Sequence, residues 1–236
     1  MTLPSITVAK FKDFFKYYKG TSNQEEAIEQ LYKQMPVSLL SDDADWITLY
    51  RKPEPEPEPE EGICTPELMN KLTGHPASSF DKVFCNDCNR LFRETGFAAH
   101  LDAMQMLMAN MMHETCNFVY MQEISDGWAY ENRADLGNTS PGDGPKYKGA
   151  GVLQLTGKFN YSRLSEGIND PKVMNGVDYV SNTYPFTSAK IWIEENNLLS
   201  VCLTQGFDQC CIRINGGWNG YEDRLNKYHI CQRHMK

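Results

Sequence analysis

The chain has 236 residues, 41% of them apolar and 23% charged, with a formal net charge of -8. That length supports one sizeable core, or a core plus a small module. The acidic balance argues against a dedicated nucleic-acid binder and against electrostatic adhesion to anionic membranes or acidic polymers.

No run approaches the ~18 apolar residues of a spanning helix, so no membrane insertion is expected. The opening MTLPSITVAKFKDFF lacks a basic region followed by an apolar one, so no secretory signal is expected either. The expectation is a chain that stays in the cytosol where it is made until something releases it.

Residues 1–51 read as a small helical module. Val8, Phe11, Phe14 and Phe15 recur at helical spacing. After Gly20, Ser22 or Asn23 caps a second segment that places Ala27, Leu31 and Met35 on one face. Two or three short helices make a marginal core, which suits a docking or wall-targeting role. Residues 52–62, KPEPEPEPEEG, alternate proline with glutamate. Proline removes backbone donors and like charges repel, so this stretch is expected to be an extended linker.

Residues 63–236 form the larger domain, read as α+β and predominantly helical. Helices are expected near 65–72, 79–95, 98–116, 159–167, 186–197, 207–214 and 219–231. A Gly- and Asn-rich lobe with a short β-like stretch, GVLQLT, separates the helical halves.

Eight cysteines without a signal do not make a disulfide scaffold. Cys85 and Cys88 have zinc-like spacing, but a site would need two further ligands from Cys64, His75 or His100. Buried thiols are the plainer reading, with no metal and no cofactor.

Three stretches carry chemistry. In LMANMMHETCNF, residues 107–118, a helical wheel sets Leu107, Met111, Glu114 and Phe118 in one sector. Glu114 then points to the edge of the apolar side, a placement that suits a general acid. The alternative is a glutamate at a helix end reaching solvent. His113 and Glu114 do not open a zinc-protease HExxH motif, because Asn117 stands where the second histidine would be.

The lobe of residues 126–161, DGWAYENRADLGNTSPGDGPKYKGAGVLQLTGKFNY, holds seven glycines and a second acid, Glu131, flanked by Tyr130 and Arg133. Tyr147, Gln154, Thr156, Asn160 and Tyr161 follow, the neutral hydrogen-bonding and stacking groups of a sugar cleft or of an ordinary structured loop. Glu123 is a rival second acid, ranked below Glu131. In RINGGWNGYEDRLNKY, residues 213–228, two tight turns surround Trp218 and lead to a helix carrying Arg224.

Together, over about residues 64–231, these stretches resemble the glycoside hydrolase family 19 chitinases, and more closely their phage endolysin relatives. The resemblance implies a lysozyme-like, two-lobed domain and an inverting mechanism on β-1,4-linked N-acetylhexosamine polymers. It implies Glu114 as general acid, Glu131 as the base that activates water, and Thr156 as the hydroxyl holding that water. Gln154, Asn160 and Asn215 would bind substrate, Tyr147 would line the cleft, and Arg224 would support the second carboxylate. Trp218 joins the substrate-binding set as the indole between the turns.

Asn110, Cys116 and Ala150 depart from the family pattern, where Gln, Gly and Arg are usual. The endolysin form implies bacterial peptidoglycan as substrate and a role in lysis or wall penetration. Release would then need a partner pore (a holin) or transport in the virion. A chitinase, or a virion or wall-binding component with little turnover, is the alternative.

Overall fold

The computed structural model describes residues 62–236, together with Thr21, Ser22, Gln24 and Glu26. Apart from those four residues, the expected N-terminal module and all of the Pro/Glu linker before Gly62 lie outside the described residues. The chain divides into two units, Met1–Glu60 and Glu61–Lys236, and the second is helical.

Nine α-helices are described in this unit: α1 (Pro66–Thr73), α2 (Lys82–Glu94), α3 (Leu101–Glu114), α4 (Asp143–Lys146), α5 (Lys158–Gly167), α6 (Val177–Thr183), α7 (Lys190–Glu195), α8 (Leu198–Asn215) and α9 (Tyr221–His234). Short 3-10 turns punctuate them. Among the described residues, β structure is limited to the isolated bridges Gln122–Ala150 and Ala150–Leu155. The unit is thus mainly helical, and the expected strand at GVLQLT reduces to one bridging residue.

Local chemistry sets the helix ends. Thr65 caps α1 by accepting from the Leu68 amide at 3.1 Å, and Pro66 follows where no donor is needed. Asp81 caps α2 through the Phe84 amide at 2.8 Å.

Helix α3 is the axis of the larger core. Every residue from Ala103 to Met112 is buried, so its apolar sequence is the mark of a helix covered on all sides rather than of a surface stripe. It packs against α9 and α8. Flexible methionines at 104, 106, 108, 111 and 112 fill the irregular gaps this leaves. A second, smaller core gathers Tyr147, Ala150, Tyr161, Leu164, Val173, Val177 and Val180. These two cores are the two lobes. Asp87 on α2 accepts from the amides of Phe186 (2.7 Å) and Thr187 (3.0 Å) and from the Thr187 hydroxyl (2.5 Å), fixing the approach to α7.

Helix α8 begins nine residues earlier than expected (Leu198 against 207), because Gly206 (φ 78, ψ -167) lets the chain kink and continue. Helix α6 was not anticipated. Cys85 and Cys88 both fall on α2, and burial pushes the Cys85 thiol up to about 12. Among the described residues no three candidate ligands converge on a metal position, and no helix is long and apolar enough to cross a membrane.

Candidate active site

Helix α3 stops at Glu114, two residues short of the expected end. Cys116, Asn117 and Phe118 follow with φ of 49, 60 and 68. Three consecutive left-handed residues without glycine are strained, at about 1–2 kcal/mol each. The Thr115 hydroxyl donates to the Met111 carbonyl (2.7 Å) and accepts from the Phe118 amide (2.9 Å). Phe118 then plugs into an aromatic cluster with Phe84 (ring centroids 5.6 Å apart) and Phe186 (5.4 Å). The packed ring holds the turn that swings the chain from Glu114 toward Glu123. A Cys116→Gly substitution should relieve more strain than it costs in chain entropy, raising stability by about 0.5 kcal/mol in urea unfolding.

Glu114 is not buried in an apolar wall. Its side chain is 28% exposed and accepts a charge-assisted hydrogen bond from the Arg224 guanidinium, itself 1% exposed. The same guanidinium donates to Asn110 Oδ1 at 2.7 Å and to the Asn219 carbonyl at 3.4 Å. Asn110 and Glu114 lie one helical turn apart and so face the same side. Arg224 is therefore not beside Glu131, where the resemblance put it. Its burial keeps it from touching a substrate, and it orients Glu114 instead.

One residue back in each helix runs a second tie, from His113 Nδ1 to Asp223 Oδ2 at 2.6 Å. Burial pushes the Asp223 carboxyl up, but hydrogen bonds from Lys227 and His113 outweigh it and hold the group below the usual range. Two adjacent pairs thus clamp the end of α3 to α9. Glu114 opens on a small cavity of about 110 Å³ shared with Leu153, Gln154, Trp192 and Ile214. A larger cavity of about 430 Å³ lies along Phe118–Gln122 and contains no candidate acid except Asp81 at its rim.

The two candidates for the second acid have different surroundings. Glu131 accepts the Gly142 amide on one carboxylate oxygen (2.8 Å) and the Gly144 amide on the other (2.9 Å). It pins the Ser140–Gly144 turn. Arg133 turns away to Asp135, at 2.6 and 2.8 Å. A Cβ on Gly144 would meet the Glu131 amide nitrogen at 2.6 Å and the Gly127 carbonyl at 2.8 Å. Gly144→Ala should therefore force this lobe apart, costing about 1–3 kcal/mol in denaturant unfolding and lowering activity with it.

Glu123 follows the Gln122–Ala150 bridge. It accepts the Tyr130 hydroxyl (3.0 Å) and the Gly149 amide (3.1 Å). Burial and the hydrogen bond to Glu123 push the Tyr130 hydroxyl up, so it remains a donor at neutral pH. Lys148 Nζ donates to the carbonyls of Glu123 (2.9 Å) and Ser125 (2.8 Å), fixing the backbone on both sides of Ile124. A Cβ on Gly149 would strike the Gln154 carboxamide and lie 3.2 Å from the Glu123 Cβ. Glu123 thus roots beside Gln154, the residue that also lines the Glu114 cavity. Among the described contacts, Glu131 reaches the Gly142 and Gly144 amides instead.

The remaining residues sort by exposure. Thr156 donates its hydroxyl to the Gln154 carbonyl (2.8 Å), which leaves its oxygen free to accept. Asn160 donates to the Thr156 carbonyl (2.8 Å) and Asn215 to the Asn219 carbonyl (3.1 Å). Tyr147 is 3% exposed and packs edge-on against Tyr161 in the smaller core, so it supports the lobe rather than lining the cleft. Trp218 is 58% exposed and meets Tyr221 edge-on at 4.9 Å.

The sequence reading passed over Trp128, equally exposed, on the 3-10 turn that presents Tyr130 to Glu123. It also passed over Lys148. An indole inside a glycine-rich lobe, and a lysine directly before the Gly-Ala-Gly run, were the available signals.

No family model matches the chain. Several curated relatives do. A glycosyl hydrolase family 19 domain-containing protein of Haemophilus influenzae is 29% identical over 99 residues, covering 42% of this chain and 48% of that one. An endochitinase of Arabidopsis thaliana is 30% identical over 181 residues, covering 70% of this chain and 62% of that one. The chain therefore spans about half to three-fifths of these relatives' own lengths.

Among solved structures, chitinase C from Streptomyces griseus superposes with a TM-score of 0.53 at 15% identity, over 75% of this chain and 94% of that one. A bacterial family 19 chitinase gives 0.54 at 18% identity, over 72% and 94%. By sequence the chain is similar to a glycosyl hydrolase family 19 domain-containing protein and to an endochitinase, and by fold it is similar to family 19 chitinases.

Proposed function

We propose that the chain is an inverting glycoside hydrolase acting on β-1,4-linked N-acetylhexosamine polymers. Glu114 protonates the glycosidic oxygen, and Glu123 takes a proton from the water that attacks the opposite face of the sugar. The observation that carries this reading is the shared border of the two acids. Gln154 lines the Glu114 cavity and abuts Gly149, whose amide holds Glu123.

Arg224 and Asn110 orient the acid. Tyr130, Lys148 and Gly149 orient the base. Thr156 supplies an acceptor next to Gln154 for the attacking water. The exposed indoles Trp128 and Trp218 suit the apolar faces of sugar rings. The chemistry needs no metal or cofactor.

The endochitinase relative favours chitin as the polymer. The endolysin-like form of residues 129–161 favours peptidoglycan, with a role in host-cell lysis, release through a partner pore and a cytoplasmic stay before it. Incubation with N-acetylglucosamine hexamer and, in parallel, with purified peptidoglycan tests both. Proton NMR of the early products should show the α-anomer, the mark of inversion. Early β-anomer would rule out the mechanism, and an intact hexamer beside solubilised wall would assign the substrate to peptidoglycan. Failure to cleave either polymer, with the protein bound to whole walls or particles, would favour a binding component with little turnover.

A further inference from the structure

We propose that Cys64 and Cys88 form an oxidation site: a small-molecule disulfide, such as oxidised glutathione, converts them into a covalent staple between the start of the Glu61–Lys236 unit and helix α2. Their Sγ atoms lie 3.1 Å apart, with Cys64 3% and Cys88 0% exposed.

The backbone around Cys64 is already locked in this register. Asn89, the residue after Cys88, accepts from the Cys64 amide at 2.9 Å and donates to the Cys64 carbonyl at 2.9 Å. Gly62 lies so close to the Asn89 carboxamide that a side chain there would overlap it. A two-point clamp one residue away therefore presents the sulfurs to each other with little motion left to make. All eight cysteines are free.

The chemistry balances as two successive exchanges. The Cys64 thiolate attacks one sulfur of the glutathione disulfide, making a mixed disulfide and releasing one glutathione thiolate. The Cys88 thiolate then attacks Cys64 Sγ and expels the second glutathione. Two protein thiols lose two electrons and two protons, and one glutathione disulfide becomes two glutathione thiols. Burial pushes the Cys88 thiol well above its ordinary range, so the second exchange is slow in the docked state and proceeds fastest as the chain folds. The ring so closed reaches from residue 64 to residue 88 and restricts the unfolded chain.

The test refolds the full chain from denaturant in a glutathione redox buffer, alkylates free thiols and maps peptides by mass spectrometry without reduction. The expected product is a peptide pair joining Cys64 to Cys88, lighter by two hydrogens than its parts. A thermal midpoint several degrees above the reduced protein should accompany it, returning on addition of dithiothreitol. Cys64→Ser and Cys88→Ser should each abolish the linked pair and the rise, while Cys202→Ser leaves both. Alkylation of all eight cysteines, a linked pair joining Cys202 to Cys210 instead, or a Cys64–Cys88 link with no rise in midpoint would each overturn the proposal.

Discussion

Glu114→Gln should lower kcat by about 10²–10⁴-fold, the usual worth of a general acid, with little change in KM. The glutamine has the same shape and keeps a carbonyl oxygen for Arg224. It cannot give a proton to the leaving oxygen. It also removes the carboxylate partner of a buried guanidinium, whose other contacts are the neutral oxygens of Asn110 and Asn219. A loss of about 1–3 kcal/mol should therefore accompany the loss of turnover. Steady-state hydrolysis of a chitin oligomer, paired with a urea melt, separates the two effects. Near-normal turnover by a folded Glu114→Gln protein would remove the acid from the mechanism.

A complementary change isolates the orienting role of the buried cation. Arg224→Met should cost more stability than Glu114→Gln, because it empties a site that serves Asn110, Glu114 and the Asn219 turn together. Its kcat should fall too, since Glu114 would swing free, but Glu114 would keep its proton-donating chemistry.

Much of this arrangement was legible in the sequence. Helix α3 announces itself through its unbroken apolar run, and Glu114 through its position at the end. The turns at Asn215–Gly220 and the glycine-rich lobe are marked by residue types that only special backbone needs explain. Side-chain pairing across the chain is different. Arg224 sits 110 positions from Glu114, and nothing local says which acid it serves. Tyr147 follows the same logic: an aromatic in a polar loop suits a cleft, yet its ring fills the smaller core instead. Helix α6 escaped notice because its seven residues, VDYVSNT, are β-branched and polar, poor helix formers held by tertiary packing. The extension of α8 escaped because Gly206 reads as a stop when it is a kink.

The sequence offered Glu123 only as a rival to Glu131 for the second acid, and the two make opposite predictions. Glu123→Gln should lose about 10²–10⁴-fold in kcat, because the amide cannot take the proton of the attacking water. Glu131→Gln should keep the chemistry and lose the turn. Its amide nitrogen would face a Gly142 or Gly144 amide, donor against donor, at a cost of about 1–3 kcal/mol. Activity would then fall only as far as the lobe loosens, and lower temperature should restore part of it.

Chemical rescue makes the contrast sharper. In Glu123→Ala, azide can enter the space of the lost carboxylate and attack the sugar without needing a base. Turnover should return, with a glycosyl azide as product. Azide has nothing to replace in Glu131→Ala, where the missing group held two backbone amides. A glycosyl azide from the Glu131 variant, with an active Glu123→Gln enzyme beside it, would hand the base back to Glu131. The shared border at Gln154 would then be a packing contact only.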